Sequence, residues 1–241
     1  RTYDTGRDVG HIRTHMKRQG ESNTMEKNIK LSRRSLLKTG VAGAALSMLP
    51  IGAFASGSCD TLNAAITGFS TLNTLDPGQA TLFPESQVIW AAFNALLKFD
   101  EKMQIVPDLA ESFEFTSDTV LKIVLRQGVK FHDGVEMTAE DVKFTLDRLR
   151  SEAFASPHRA NYEVISEIRI LDPFTLEIET QKPFAPLLSY LTNTRTGSQI
   201  VPKHLLENGT PESFATQPIG TGPFKVSSFE RGVGTKLEAF Q

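Results

Sequence analysis

The sequence is poor in the residues that staple or ligate. Cys59 is the only cysteine among 241 residues, so it can form no internal disulfide and no multi-cysteine metal site. The apolar segment at residues 39–55 is shorter than the roughly 20 residues that a bilayer-spanning helix requires. No G-x-S-x-G elbow, H-E-x-x-H pair or Gly-Lys-Ser/Thr loop is present, which counts against a secreted hydrolase and against a nucleotide loop. A basic surplus is missing too. Ten of the 26 Lys and Arg residues fall within residues 1–55, with four of the 28 Asp and Glu residues. The remainder keeps 16 bases against 24 acids, a net charge of −8. That acidic body argues against nucleic acid as a partner, because phosphate binding needs a basic surface.

The basic first stretch reads as an address. Ser32-Arg33-Arg34-Ser35-Leu36-Leu37-Lys38 leads into the Gly/Ala-rich apolar segment, which closes on Ala53-Phe54-Ala55. A charged region, an apolar run and a small-x-small ending describe an export signal cleaved after Ala55. The paired arginines with Leu36, Leu37 and Lys38 resemble a twin-arginine signal, although Leu36 stands where phenylalanine is usual. The twin-arginine translocase is therefore an expected partner, and the periplasm the expected location. Residues 1–24 fit neither a signal nor a domain, and Met25 gives a tidier start than Met16. Cys59 follows Ser56-Gly57-Ser58 rather than a leucine-led lipoprotein signal, so it reads as an unpaired thiol.

Beyond residue 55 strand and helix signals alternate, which predicts a mixed α/β body. Asp76-Pro77-Gly78 is a turn. Residues 86–99 place Val88, Ala92, Ala95 and Leu96 at helical spacing. Phe113 and Phe115, then Leu121, Ile123 and Leu125, alternate around Ser117-Asp118 and predict a hairpin. Ile168, Ile170, Leu176 and Ile178 repeat the pattern around Asp172-Pro173. Between the hairpins, Thr138 caps a helix whose buried stripe is Val142, Leu146 and Leu149, with Asp141 completing a capping box. A short helix with Pro186 in its first turn follows the second hairpin.

Residues 128–142 set His132 beside Asp133, with Glu136, Glu140 and Asp141 behind them and Asp108 upstream. Such a cluster invites a catalytic or metal reading. Each acid also has a structural role within reach. Asp133-Gly134 is a turn pair, and Glu140 and Asp141 open a helix, where acids suit the dipole. A lone histidine between strand and turn is far more often structural than a ligand. The Gly220-Thr221-Gly222-Pro223 stretch reads as a tight turn leading into a strand.

Three separated stretches carry a family resemblance: residues 107–113 (PDLAESF), residues 121–149 (LKIVLRQGVKFHDGVEMTAEDVKFTLDRL) and residues 218–225 (PIGTGPFK). They resemble the solute-binding proteins of peptide and nickel ABC transporters, the bacterial extracellular family 5 that includes oligopeptide- and dipeptide-binding proteins. The resemblance covers about residues 60–241. It implies a two-lobed, periplasmic-binding-protein-like α/β fold of type II that closes over its ligand, without enzymatic chemistry. Residues 56–85 and 192–241 then form the first lobe, residues 86–191 a small inserted α/β domain, and the second lobe is expected beyond the present sequence. The expected function is capture of peptides for permease subunits of an ABC importer. The same fold also binds nickel chelates, haem, opines or sugars. In the oligopeptide binders, the segment between Leu75-Asp76-Pro77 and Pro84-Glu85-Ser86 pairs with the ligand backbone. The resemblance thus makes Thr81, Leu82 and Phe83 the ligand-contact candidates, with no metal and no cofactor expected.

Overall fold

The computed structural model describes residues 72–194 and 197–240, all within one compact unit, residues 61–241. The export signal, Cys59 and residues 62–69 lie outside the described residues.

The first element is helix α1, Phe83–Ala92, with Pro84 in its first turn. Its N-cap residue, Leu82, has no side-chain oxygen. Glu85, the third helical residue, reaches back instead and accepts the Leu82 N–H at 2.9 Å. This is the half of a capping box that does not need a capping hydroxyl. The helix is shorter than its periodicity suggests. At Phe93 the backbone turns extended (φ −132°, ψ 153°), and residues 97–99 form strand β1, Leu97–Phe99, instead of continuing the helix. The cause is tertiary. Gly222 N–H bonds the Ala92 carbonyl at 2.9 Å, and the Ala95 and Leu96 carbonyls accept from Leu109 and Ala110. Leu96 and Leu97 would be buried in either conformation, so the apolar pattern alone does not decide.

β1 pairs antiparallel with β2, Ile105–Pro107. Both predicted hairpins then appear. Strands β3 (Ala110–Ser117) and β4 (Val120–Leu125) form the first, and β5 (Ile165–Asp172) and β6 (Thr175–Thr180) the second. They join into one antiparallel sheet in the order β3-β4-β6-β5. Alternation selects its two faces. Leu121, Ile123, Leu176 and Ile178 point to the core, while Lys122 stands opposite Glu177 on the outer face. There Arg169 reaches Glu179 at 2.6 Å, Glu167 at 2.8 Å and Glu177 at 3.2 Å.

The connection between the hairpins carries helix α2, Ala139–Arg150, which covers the inner face of the sheet. Thr138 and Asp141 form the expected capping box. Val142, Leu146 and Leu149 are buried as predicted. The short helices α3 (Arg159–Tyr162), α4 (Leu187–Tyr190) and α5 (Lys203–Leu206) follow, with Pro186 as the N-cap of α4. A 3-10 turn, Glu212–Ala215, precedes a final hairpin of β7 (Phe224–Glu230) and β8 (Gly234–Ala239).

The buried apolar residues fall into separate clusters. The largest lies between the four-stranded sheet and α2 and draws on residues 96–200. Two smaller clusters surround α1. One joins Ile89 and Phe93 to Val201, Leu206 and Phe214. The other joins Leu72, Leu75 and Val88, with Phe229 and Leu237 against them.

A buried ion pair ties α2 to the segment before α1. Arg148 donates to both carboxylate oxygens of Asp76, at 3.0 and 2.5 Å, and also to Thr210 Oγ1 at 2.8 Å. Its guanidinium lies 3.7 Å from the centre of the Phe154 ring. The side chains of Arg148 and Asp76 are 7% and 4% exposed, so neither charge has water to fall back on. Gly78 is required beside them, because a Cβ there would come within 2.8 Å of Phe154 and 3.1 Å of Arg148. Removing one partner of a buried pair typically costs about 3–5 kcal/mol, since the other charge is left uncompensated. Asp76→Ala is therefore expected to lower unfolding stability by about that amount in urea denaturation. Lys143→Ala, which breaks the exposed pair with Asp147, should cost under about 1 kcal/mol.

Candidate functional site

The segment leading into α1 has no regular secondary structure, yet every backbone N–H from Asn73 to Leu82 has a partner. Glu85 accepts four of them. One carboxylate oxygen accepts the N–H groups of Asn73 (3.0 Å) and Thr74 (3.3 Å). The other accepts those of Thr81 and Leu82, both at 2.9 Å. A carboxylate has acceptor sites for four donors, and Glu85, 2% exposed, uses them to close the loop on itself. Asp76 makes the inner turn by accepting Gly78 N–H at 2.9 Å. From outside, Ser156 Oγ donates to the Gly78 carbonyl at 2.6 Å and His158 Nε2 to the Ala80 carbonyl at 2.7 Å.

This loop forms one wall of an open groove of about 440 Å3, lined by Thr81, Phe83, Ser86, Trp90, His158 and Asn161, with Thr194 at its edge. A smaller hollow of about 210 Å3 continues from Trp90 toward Asn193 and Thr194. Phe83 and Trp90 lie seven residues apart on α1 and meet edge to face, ring centres 6.1 Å apart. Phe83 is 64% exposed, a large apolar ring presented to solvent. Aromatic walls with a few hydroxyl, amide and imidazole groups are the usual make-up of a small-molecule site. Of its lining side chains, Ser86 Oγ donates to the Leu82 carbonyl and His158 Nε2 to the Ala80 carbonyl.

The three expected contact residues separate here. Thr81 and Phe83 line the groove. Leu82 is half-buried at the helix cap and does not line it. The N–H groups of Thr81 and Leu82 go to Glu85, and the Leu82 carbonyl accepts from Ser86, so the groove offers mainly side chains at these positions. Sequence reasoning missed Ser86, just past the expected segment, and also Trp90, His158, Asn161 and Thr194. Trp90, the only tryptophan, carried a signal in its spacing from Phe83. His158, Asn161 and Thr194 come from segments more than 60 residues away and carried none.

The polar cluster around His132 is scaffolding. Asp133 accepts Val135 N–H at 3.1 Å and meets His204 Nε2 at 2.8 Å. Glu136 accepts Gly128 N–H, Glu140 pairs with Lys203 at 3.0 Å, and Asp108 pairs with Lys98 at 3.3 Å. Glu140 in turn holds the Lys203 ammonium above its ordinary pKa. His132 grips the Gly220–Gly222 stretch. Its backbone N–H donates to Gly220 O, Gly220 N–H donates to the ring Nδ1 at 3.3 Å, and Nε2 lies 3.0 Å from Gly222 O. Those glycines answer a packing need. A Cβ on Gly220 would lie 2.2 Å from the Ala92 carbonyl oxygen, and one on Gly222 would lie 2.5 Å from the Ala92 carbonyl carbon. They allow the backbone to close directly over the end of α1 before β7 begins.

Residues 104–241 match the bacterial extracellular solute-binding proteins, family 5, over that family's middle region. The match covers more than half of the chain, and the chain belongs to this family. The glutathione-binding protein GsiB of Escherichia coli O6:K15:H31 is 30% identical over 179 residues, 74% of this chain and 34% of the relative. NikZ of Campylobacter jejuni, solved with Ni(L-His), is 33% identical with a TM-score of 0.63, covering 74% of this chain and 34% of that one. MoaA of A. tumefaciens R10, solved with mannopinic acid, is 32% identical with a TM-score of 0.65, covering 70% and 35%. The described fold is that of type II periplasmic binding proteins, and the chain spans about a third of the length of these relatives.

The loop clamp generates a prediction. Glu85→Gln keeps the shape but turns one acceptor into a donor facing backbone N–H groups. Each buried donor left without a partner costs about 1–3 kcal/mol. Faster amide exchange is expected at Thr81 and Leu82, or at Asn73 and Thr74, depending on which way the amide settles. Unchanged protection at all four would show that Glu85 does not hold the loop.

Proposed function

We propose that this chain is part of the extracytoplasmic solute-binding component of an ABC importer, capturing a peptide-type solute for the permease subunits. The observation that carries the reading is the groove beside α1. A rigid loop and two aromatic rings form a contact surface, in a chain of family 5. Glutathione, the ligand named for the relative GsiB, is itself a small peptide. We assign residues 56–85 and 192–241 to one lobe and most of residues 86–191 to an inserted domain. The core packing supports this division and favours a boundary beyond α1, because Ile89 and Phe93 pack with Val201, Leu206 and Phe214. A second reading keeps the fold and takes a nickel chelate or an opine as ligand, as the ligands of NikZ and MoaA suggest.

The groove is open on one side, so binding here is expected to be weak. Association costs roughly 4 kcal/mol or more in lost freedom. A few solvent-facing hydrogen bonds at about 1 kcal/mol each offset little of that. Titration of the chain with glutathione, a mixed tetrapeptide pool, Ni(L-His) and mannopinic acid, followed by Trp90 fluorescence, tests the reading. Peptides should give a saturable change in the millimolar range, weakened severalfold by Phe83→Ala. A response to Ni(L-His) or mannopinic acid alone would favour the second reading. Saturation without any effect of Phe83→Ala would move the site elsewhere.

The family's extracellular character also supports export by the signal at residues 32–55. Substituting Arg33 and Arg34 together by lysine should block export of a folded reporter fused after Ala55. A general secretory signal keeps working after that change, so continued export would remove the twin-arginine route.

A further inference from the structure

We propose that neutral His132 is an acid-released latch that fastens the approach to β7 onto the end of α1. This goes beyond solute capture and does not depend on it. The geometry fixes the protonation state. Gly222 O can only accept, so Nε2 must carry the hydrogen. Gly220 N–H can only donate, so Nδ1 must be bare. Only the neutral ring with its hydrogen on Nε2 makes both bonds. A second proton would sit on Nδ1, facing the Gly220 N–H donor, and would break that contact.

What the latch holds is tightly fitted. Gly222 N–H bonds the Ala92 carbonyl at the last turn of α1, and Thr221 Oγ1 lies 3.2 Å from Asn94 Oδ1. The imidazole packs against Phe240, just beyond β8, with ring centres 4.9 Å apart. His132 therefore joins the turn before β7 to Phe240 beyond β8, and through Gly222 to the end of α1. Among the charged groups around it, Asp133 is adjacent in sequence and is shared with His204 of α5. Lys225 stands on β7, 3.9 Å from Glu238 of β8. Burial pushes the His132 pKa below its ordinary value. The Gly222 carbonyl and Asp133 oppose this, and Lys225 adds to it. The unfolded chain therefore takes up the proton first. The contribution of the latch is complete above about pH 6.5, the ordinary histidine value, and is lost as pH falls through the lower folded value.

Residue-resolved amide hydrogen exchange in the full chain, corrected for the intrinsic effect of pH, tests the latch. Gln at position 132 can donate and accept like neutral imidazole but does not titrate. In the wild type, protection at Gly220 and Gly222 should fall severalfold between pH 7.5 and pH 5, the direction set by the lowered pKa of folded-state His132. In His132→Gln it should hold within about twofold, and Ile123 in the central sheet should stay protected in both. Equal acid sensitivity in both proteins would overturn the proposal. Ring 15N shifts of wild-type His132 give a second, variant-free check. The hydrogen should sit on Nε2 at pH 7.5, and loss of protection at Gly220 should share the ring's titration midpoint. A hydrogen on Nδ1, or a different midpoint, would overturn it as well.

Discussion

Asp76 and Arg148 meet across 72 residues of sequence and bury both charges. The groove depends on that contact. Asp76 is in the loop that forms one wall, and Arg148 is in the helix that covers the sheet, so the pair sets the loop against the larger core. Desolvating two charges is costly and is repaid only by good geometry and full hydrogen bonding. Both conditions are met. The contact is two-pronged, Thr210 and Phe154 take up the rest of the guanidinium, and Gly78 N–H takes part of the carboxylate. Such a pair gives a unique position more than raw stability, and a unique position is what a contact surface without regular secondary structure needs.

Glu85 solves the complementary problem. A loop without a ladder must still satisfy its N–H groups, and water would do so without fixing a shape. One buried carboxylate gathers four of them and leaves side chains to face outward. The groove then presents the side chains of Thr81, Phe83 and Trp90. That suits a family whose members hold glutathione, a nickel chelate and an opine. A fixed frame can present different rings and hydroxyls without changing its own hydrogen bonding.

Much of the frame was legible in the sequence because local rules governed it. The two hairpins follow from alternation, and α2 follows from Thr138, Asp141 and its apolar stripe. The order of motifs pointed to the family as well. The end of α1 was not legible, because backbone from residues 220–222, more than 120 positions later, terminates it. The candidate site was partly legible. Of the three expected contact residues, Thr81 and Phe83 line the groove, but the capture of the Thr81 and Leu82 N–H groups depends on a side chain that reads locally as an ordinary first-turn acid. His158 and Asn161 approach the groove only through the tertiary fold. No spacing rule reaches across that distance.

The long reach of the loop's bonds has a consequence for synthesis. Asp76, Gly78 and Ala80 are fastened to partners 72, 78 and 78 residues further along the chain. At about 5–20 residues per second, a ribosome supplies those partners roughly 4–15 seconds after the loop itself. During that interval Leu72 and Leu75, fully buried in the finished fold, have only each other and Val88 from their own surroundings, because Phe229 and Leu237 are made later still. The groove wall is thus among the first parts of the described fold to be made and among the last to take its shape. Holding that segment apart from other chains in the meantime is a task for the cell's chaperones.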